Sequence, residues 1–305
     1  MHRNTQIVAS ATAREGYDRG RMDPTEVAAQ VARAREANRA RFARLAARPE
    51  AEIDLAEAAL IIAADGRPDL DPGPTTAGLD ALAELVRIRV DLGDPADEIL
   101  ARLHDVLYRE AGFRGPSRGA SAHPDLSRLD RVMARRRGLP ISLAIVELEV
   151  AGRIGLKLHG VGLPGHFLVG GLDGLLMDPA DGGRRLTRDD CQALLRRAVG
   201  DGVLLHAGML RPVGRRQILA RVLRNLRAAH LARRDWPAAF GAVSLLEVVE
   251  PTDPDHGRDR GLLLGRMGRF SEAVALLGQY LDERPDSTDA LDVQQVMSIF
   301  AGRRN

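Results

Sequence analysis

Cysteine occurs once in the 305 residues, as Cys191, which excludes an internal disulfide and any zinc site built from several thiolates. Aromatic residues make up only 3%, so few platforms exist on which bases or sugars could stack. No run of about 18 apolar residues is present, and the opening stretch lacks the apolar segment of a secretory signal. The expectation is a cytoplasmic protein with no membrane partner. Lysine is also nearly absent, Lys157 being the only one, so the positive charge is almost all guanidinium. With the alanine richness, this fits a GC-rich coding bias better than a selected polyanion-binding surface.

Charge is nearly balanced at 44 basic and 42 acidic residues, a formal +2, and the excess is local: residues 1–48 carry ten Arg against five acids. No nucleic-acid partner is expected from so confined a surplus.

What is present is mostly helix. Asp23-Pro24-Thr25-Glu26 combines an N-cap, a proline at the first helical position and an acid three residues after the cap, so a helix should begin there. Val31, Phe42 and Leu45 share one face of it, interrupted by the polar Asn38, which fits an arm packed on its own domain. Three further helical patterns follow, IDLAEAALIIAADG, LDALAELVRIRVDLGD and PADEILARLHDVLYREAGF, each ended by Gly or Asp signals. The Gly-, Ser- and Pro-rich segment GPSRGASAHPDLS reads as an exposed loop before the short helix LDRVMARRRG. Residues 140–154, PISLAIVELEVAGRI, are apolar on nearly all sides, with only Glu147, Glu149 and Arg153 charged, so this helix must be central. Beyond Gly155 the pattern changes to the glycine-broken runs KLHGVGL, HFLVGG and GLLMDP. These predict a small antiparallel sheet after the helices, an α+β arrangement.

The last third repeats itself. Trp236, Ala239, Val243, Leu246 and Pro251 are matched by Phe270, Ala273, Leu277, Tyr280 and Pro285, each pair 34 residues apart, which is the tetratricopeptide period. Arg227 stands where the second unit has the small Gly261, so one or two complete units are expected. Fewer than three repeats seldom stand alone, and the region should pack on the preceding domain.

His166 in GLPGHFLVGG and Asp178 in GLLMDPADGG flank a turn signal at Gly171 to Asp173. A hairpin centred at residue 172 pairs positions whose numbers sum to 344, which sets His166 opposite Asp178 on one face. An Asp there could hold the imidazole in one tautomer, the geometry of a pair awaiting a nucleophile. The nucleophile is what is missing. The central helix has no cysteine, and Ser142, the nearest hydroxyl, reads as a helix-start or packing serine in preference to a nucleophile. Cys191 follows Thr187-Arg188-Asp189-Asp190, a capping-box-like start, and shares an apolar face with Leu194, Leu195 and Ala198, so a buried and inert thiol is expected. His159 and His166 have no third ligand at a recognised spacing, so neither a metal nor a cofactor is predicted. The run Arg135 to Arg137 reads as a solvated face, with an acidic peptide or phosphate as the alternative.

The segment RRRGLPISLAIVELEVAGRIGLKLHGVGLPGHFLVGGLDGLLMDPADGG resembles the SirB-type family of bacterial transglutaminase-like proteins with C-terminal tetratricopeptide repeats. IDLAEAALIIAA, RLTRDDCQALL and RQILARVLRNLRAAHLARRDWPAA extend the likeness over roughly residues 41 to 290. The resemblance implies a papain-type core, a central helix against a small sheet, whose active relatives carry Cys, His and Asp in that chain order. His166 and Asp178 match two of these positions, and the cysteine position falls on Pro140. The same loss is implied for the SirB-type proteins, whose name points to a regulatory role. The family's loop before the helix usually carries asparagines, where this chain has Leu126 and Asp130.

The resulting division is a basic arm at 1–48, a transglutaminase-like domain at 49–209 and a tetratricopeptide-like region at 210–305. The expected function is non-catalytic, in protein or peptide binding or regulation. The alternative is an acyl-transfer or amide-hydrolysing enzyme using His166 and Asp178 with Ser142 or a bound water.

Overall fold

The computed structural model describes residues 24–303, apart from 66, 68, 92 and 118–122. The expected cap at Asp23 and the middle of the loop after Pro116 lie outside the described residues.

Helix α1 (Pro24–Ala46) buries Phe42 and Leu45. Its polar interruption is absorbed by tertiary contact, since the Asn38 side chain donates to the Ile61 carbonyl at 3.3 Å. Helix α2 (Leu55–Ala63) starts at Asp54, whose carboxylate accepts the Glu57 N–H at 2.8 Å and satisfies one orphan donor of the first turn. Helices α3 (Gly73–Arg87) and α4 (Ala96–His104) follow, and α4 runs on as a π-helical turn over Asp105–Glu110 rather than as one regular helix. Helix α5 (Leu129–Arg135) ends at Arg136, which takes a left-handed conformation and lays its guanidinium 4.6 Å from the centre of the Phe113 ring. Arg135 meets Asp125 at 2.7 Å. Arg135, still exposed, and Arg136 thus make contacts within the fold.

Helix α6 (Pro140–Arg153) is central, touching α2, α3, α4 and α5 as its all-round apolar character requires. Four antiparallel strands lie beside it in the order β1 (His159–Val161), β2 (Leu168–Gly170), β3 (Leu176–Asp178) and β4 (Arg184–Leu186). Strand β4, exposed and carrying two arginines, had no strand-like pattern to announce it. Helix α7 (Arg188–Val199) opens with the expected capping box between Thr187 and Asp190.

The hairpin register differs from expectation. Val169 pairs with Met177, a sum of 346, and β2 begins only at Leu168, so His166 lies outside the ladder. The turn is centred on Asp173, which occupies the left-handed region at φ 57°, one residue later than the glycine pattern suggested. A change of two in the sum is even, so every side chain keeps its face.

The C-terminal helices are α8 (Arg215–Ala232), α9 (Trp236–Val249), α10 (Asp255–Arg266), α11 (Phe270–Glu283) and α12 (Ala290–Ala301). The 34-residue period is visible in their geometry. Helices α9 and α11 begin on the matched Trp236 and Phe270, and the turns before them place Arg234 (φ 57°) and Gly268 (φ 78°), again 34 apart, in the same left-handed conformation. A side chain at Gly261 would put its Cβ 2.8 Å from Leu277, which is why this helix pair needs a glycine there. Helix α12 is the first helix of a third, incomplete unit packed on α11. One continuous apolar cluster runs from Phe42 through α6 to Leu223, Leu246 and Val249, so helices α8 and α9 share the core of the preceding domain, while Leu277, Tyr280 and Val293 form a cluster of their own.

Candidate functional site

The loop bearing His166 is held by helix α8. Arg221 donates to the carbonyls of Leu163 at 2.9 Å and His166 at 2.7 Å, while the His166 N–H bonds back to Leu163 O. This clamp sets the imidazole beside the end of β3, with Nε2 at 2.9 Å from Asp178 Oδ2. Among the described residues no aligned hydrogen bond to this nitrogen is formed, so the approach is a close polar contact. The other oxygen, Oδ1, accepts the Ala180 N–H at 2.9 Å, and Asp178 is buried. His166 and Asp178 therefore meet, although through the loop before β2 and not through the cross-strand pairing expected of them.

Pro140 occupies the first turn of α6, where a thiolate in this setting would gain from the helix dipole. Proline brings neither a nucleophile nor an N–H. Ser142 is 1% exposed, and among the described residues its Oγ has no hydrogen-bond partner, His166 included. Leu126 contributes its carbonyl to the Leu139 N–H just before the helix, and Asp130 is bound by Arg67 at 2.6 Å, so this loop is fastened to the body of the protein. Cys191 is 0% exposed in a separate cluster with Val161, Leu168 and Leu195, where burial first and Asp190 second push its thiol pKa up. That environment suppresses the thiolate on which reactivity depends.

A second polar site on α6 escaped the sequence. Glu147 is 0% exposed, yet Tyr108 donates to its Oε2 at 2.5 Å and His104 Nε2 lies 2.9 Å from its Oε1. Burial, then the Glu147 charge, raise the Tyr108 hydroxyl well above its ordinary pKa. A glutamate amid an apolar helix was itself a signal, because a buried charge must find partners. Those partners lie about 40 residues upstream, on the π-helical turn and the residue before it.

On the repeat side, a groove of about 630 Å³ opens between α8, α9, α10 and α12. Its floor includes Leu231, Trp236 and Phe300, and its arginines are Arg227, Arg258, Arg266 and Arg303. Arg227 and Arg258 are paired with Asp259. Arg266 and Arg303 have no carboxylate partner among the described residues; Arg266 lies over the Trp236 ring at 5.9 Å.

The core and the helical hairpins define a transglutaminase-like domain followed by tetratricopeptide repeats. The family model described as "Transglutaminase-like superfamily" matches residues 74–224, and that described as "Tetratricopeptide repeat" matches residues 226–298. A UPF0162 protein of Xylella fastidiosa is 35% identical over 247 residues, covering 79% of this chain and 87% of the relative. A UPF0162 protein of Pseudomonas aeruginosa is 38% identical over 213 residues, 68% of this chain and 77% of the other. Protein SirB1 of Salmonella typhimurium is 26% identical over 212 residues, 68% and 78% of the two chains. The chain belongs to this UPF0162 family. No solved structure matches it. Among the described residues, no helix is long and apolar enough to cross a membrane.

Proposed function

We infer that this protein binds a protein or peptide partner and does not catalyse a reaction, with the repeat groove as the binding surface. The observation that carries this reading is the pairing of a site without its nucleophile and a groove with spare cationic groups. By the resemblance the nucleophile position falls on Pro140, in the first turn of α6, and Ser142 is buried. Arg266 and Arg303 flank an apolar floor, a charge pattern suited to an acidic segment that also carries a large apolar side chain. In this reading residues 49–209 act as scaffold and 210–305 as binding region, with a regulatory rather than metabolic role inside the cell. The enzyme reading rests on the 2.9 Å contact of His166 with Asp178, which could activate a bound water.

One comparison separates the two. Partner capture by the wild type, His166→Ala and the double variant Arg266→Glu/Arg303→Glu is measured, with thermal melts showing that all are folded. His166→Ala should lose roughly 1 kcal/mol of stability and keep its binding. The double variant should lose binding at least about tenfold, the effect of about 1.4 kcal/mol of lost interaction. A folded His166→Ala protein that loses all function, with amide or ester turnover found only in the wild type, would overturn the reading.

A further inference from the structure

The turn between α9 and α10 brings together three groups that play no part in the groove or the His166 site. Glu250 closes α9, Asp253 lies in the turn and His256 is in the first turn of α10. One ligand atom from each lies within 4.8 Å of the others. His256 decides what to make of them. It is 3% exposed, and among the described residues neither ring nitrogen has a hydrogen-bond partner, although Nε2 lies 3.2 Å from Glu250 Oε2 and 3.8 Å from Asp253 Oδ2. A buried imidazole facing two carboxylate oxygens without an aligned bond to either is short of a partner.

We propose that Glu250, Asp253 and His256 bind one divalent cation of the zinc class. Zinc bonds to nitrogen and oxygen of about 2.0–2.2 Å in tetrahedral geometry put neighbouring ligand atoms about 3.3–3.5 Å apart. The observed 3.2 and 3.8 Å bracket that spacing. The ligand atoms are assigned by what is already engaged. Asp253 Oδ1 accepts the Asp255 N–H at 3.1 Å, which leaves Oδ2 for the ion. Arg224 bonds both Glu250 oxygens, at 2.6 and 2.7 Å, so on loading it keeps Oε1 while Oε2 turns to the cation. Water completes the fourth position, and imidazole with two carboxylates selects a borderline ion over Mg²⁺. Arg224's charge and the absence of a described acceptor for His256 Nδ1 weaken the site, so affinity should be micromolar. The sequence showed no such motif because the three residues meet only when one helix turns into the next.

The test is a calorimetric titration of the full chain, freed of metal with a chelator, with Zn²⁺ alone. One equivalent should bind with Kd below about 50 µM, and millimolar Mg²⁺ should neither bind nor compete. Asp253→Asn keeps an acceptor for the Asp255 N–H and should weaken zinc binding at least about tenfold, while His256→Gln should abolish it. Co²⁺ should give visible absorption in the wild type that His256→Gln lacks. Should His256→Gln fail to fold, Asp253→Asn decides alone. No zinc binding up to about 0.5 mM, or binding unchanged in a folded Asp253→Asn protein, would overturn the proposal.

Discussion

Helix α6 carries polar groups at its start and in its middle, and the two places are built on opposite terms. In the middle, Glu147 is fully enclosed and both of its oxygens are engaged, one by Tyr108 and one by His104. At the start, Pro140 offers no reactive group and the Ser142 hydroxyl is buried without a partner among the described residues. A buried polar group left unpaired costs stability, so the satisfied network stabilises the fold while the lone hydroxyl does not. On one helix, then, an enclosed carboxylate has both oxygens partnered while a hydroxyl near the first turn has none among the described residues.

Substitutions should make the contrast measurable. Glu147→Ala removes a carboxylate with which the half-buried Tyr108 and His104 are both engaged, and a loss of about 2–4 kcal/mol in urea or thermal unfolding is expected. A loss below about 1 kcal/mol would erase the distinction between the two places. Tyr108→Phe should cost less, about 1–3 kcal/mol, since Glu147 keeps His104. It also carries a pH signature. The folded Tyr108 hydroxyl is held above the ordinary value of 10.0, so its contribution is complete below pH 10 and is lost as pH rises beyond it, when the unfolded chain ionises first. The wild type should therefore lose stability on the alkaline side more steeply than Tyr108→Phe, and parallel curves would show that the hydroxyl is not buried as described. Ser142→Ala gives the smallest effect, within about 0.5 kcal/mol and on the stabilising side if it changes anything, because it removes an unsatisfied hydroxyl. A large loss there, with the variant folded, would give Ser142 a role that its surroundings do not suggest.

The same contrast explains what could be read in advance. The repeats were legible because their contacts recur at a fixed interval, so Ala239 and Ala273 or Val243 and Leu277 announce each other. Helix α6 was legible from its composition. The His166 and Asp178 pair was reached by a register that is two units off in the sum, and the two side chains still meet because Arg221, on a distant helix, holds the histidine loop beside the end of β3. That clamp could not be seen from local pattern. Nor could the partners of Glu147, which depend on a π-helical turn and on packing between segments far apart in the chain. Strand β4 went unread because an exposed edge of three residues with two arginines has no alternation to betray it.

Helix α8 belongs to both halves: the two family matches meet within it, its apolar face completes the α6 core, and Arg221 reaches from it to the histidine loop. The junction is thus a shared beam and not a tether. Cutting the protein there would strip one half of a wall and the other of its foundation, so neither fragment would inherit a finished surface. The first repeat helix thus doubles as a wall of the domain before it, and the loop holding His166 is anchored to the repeat side of the molecule.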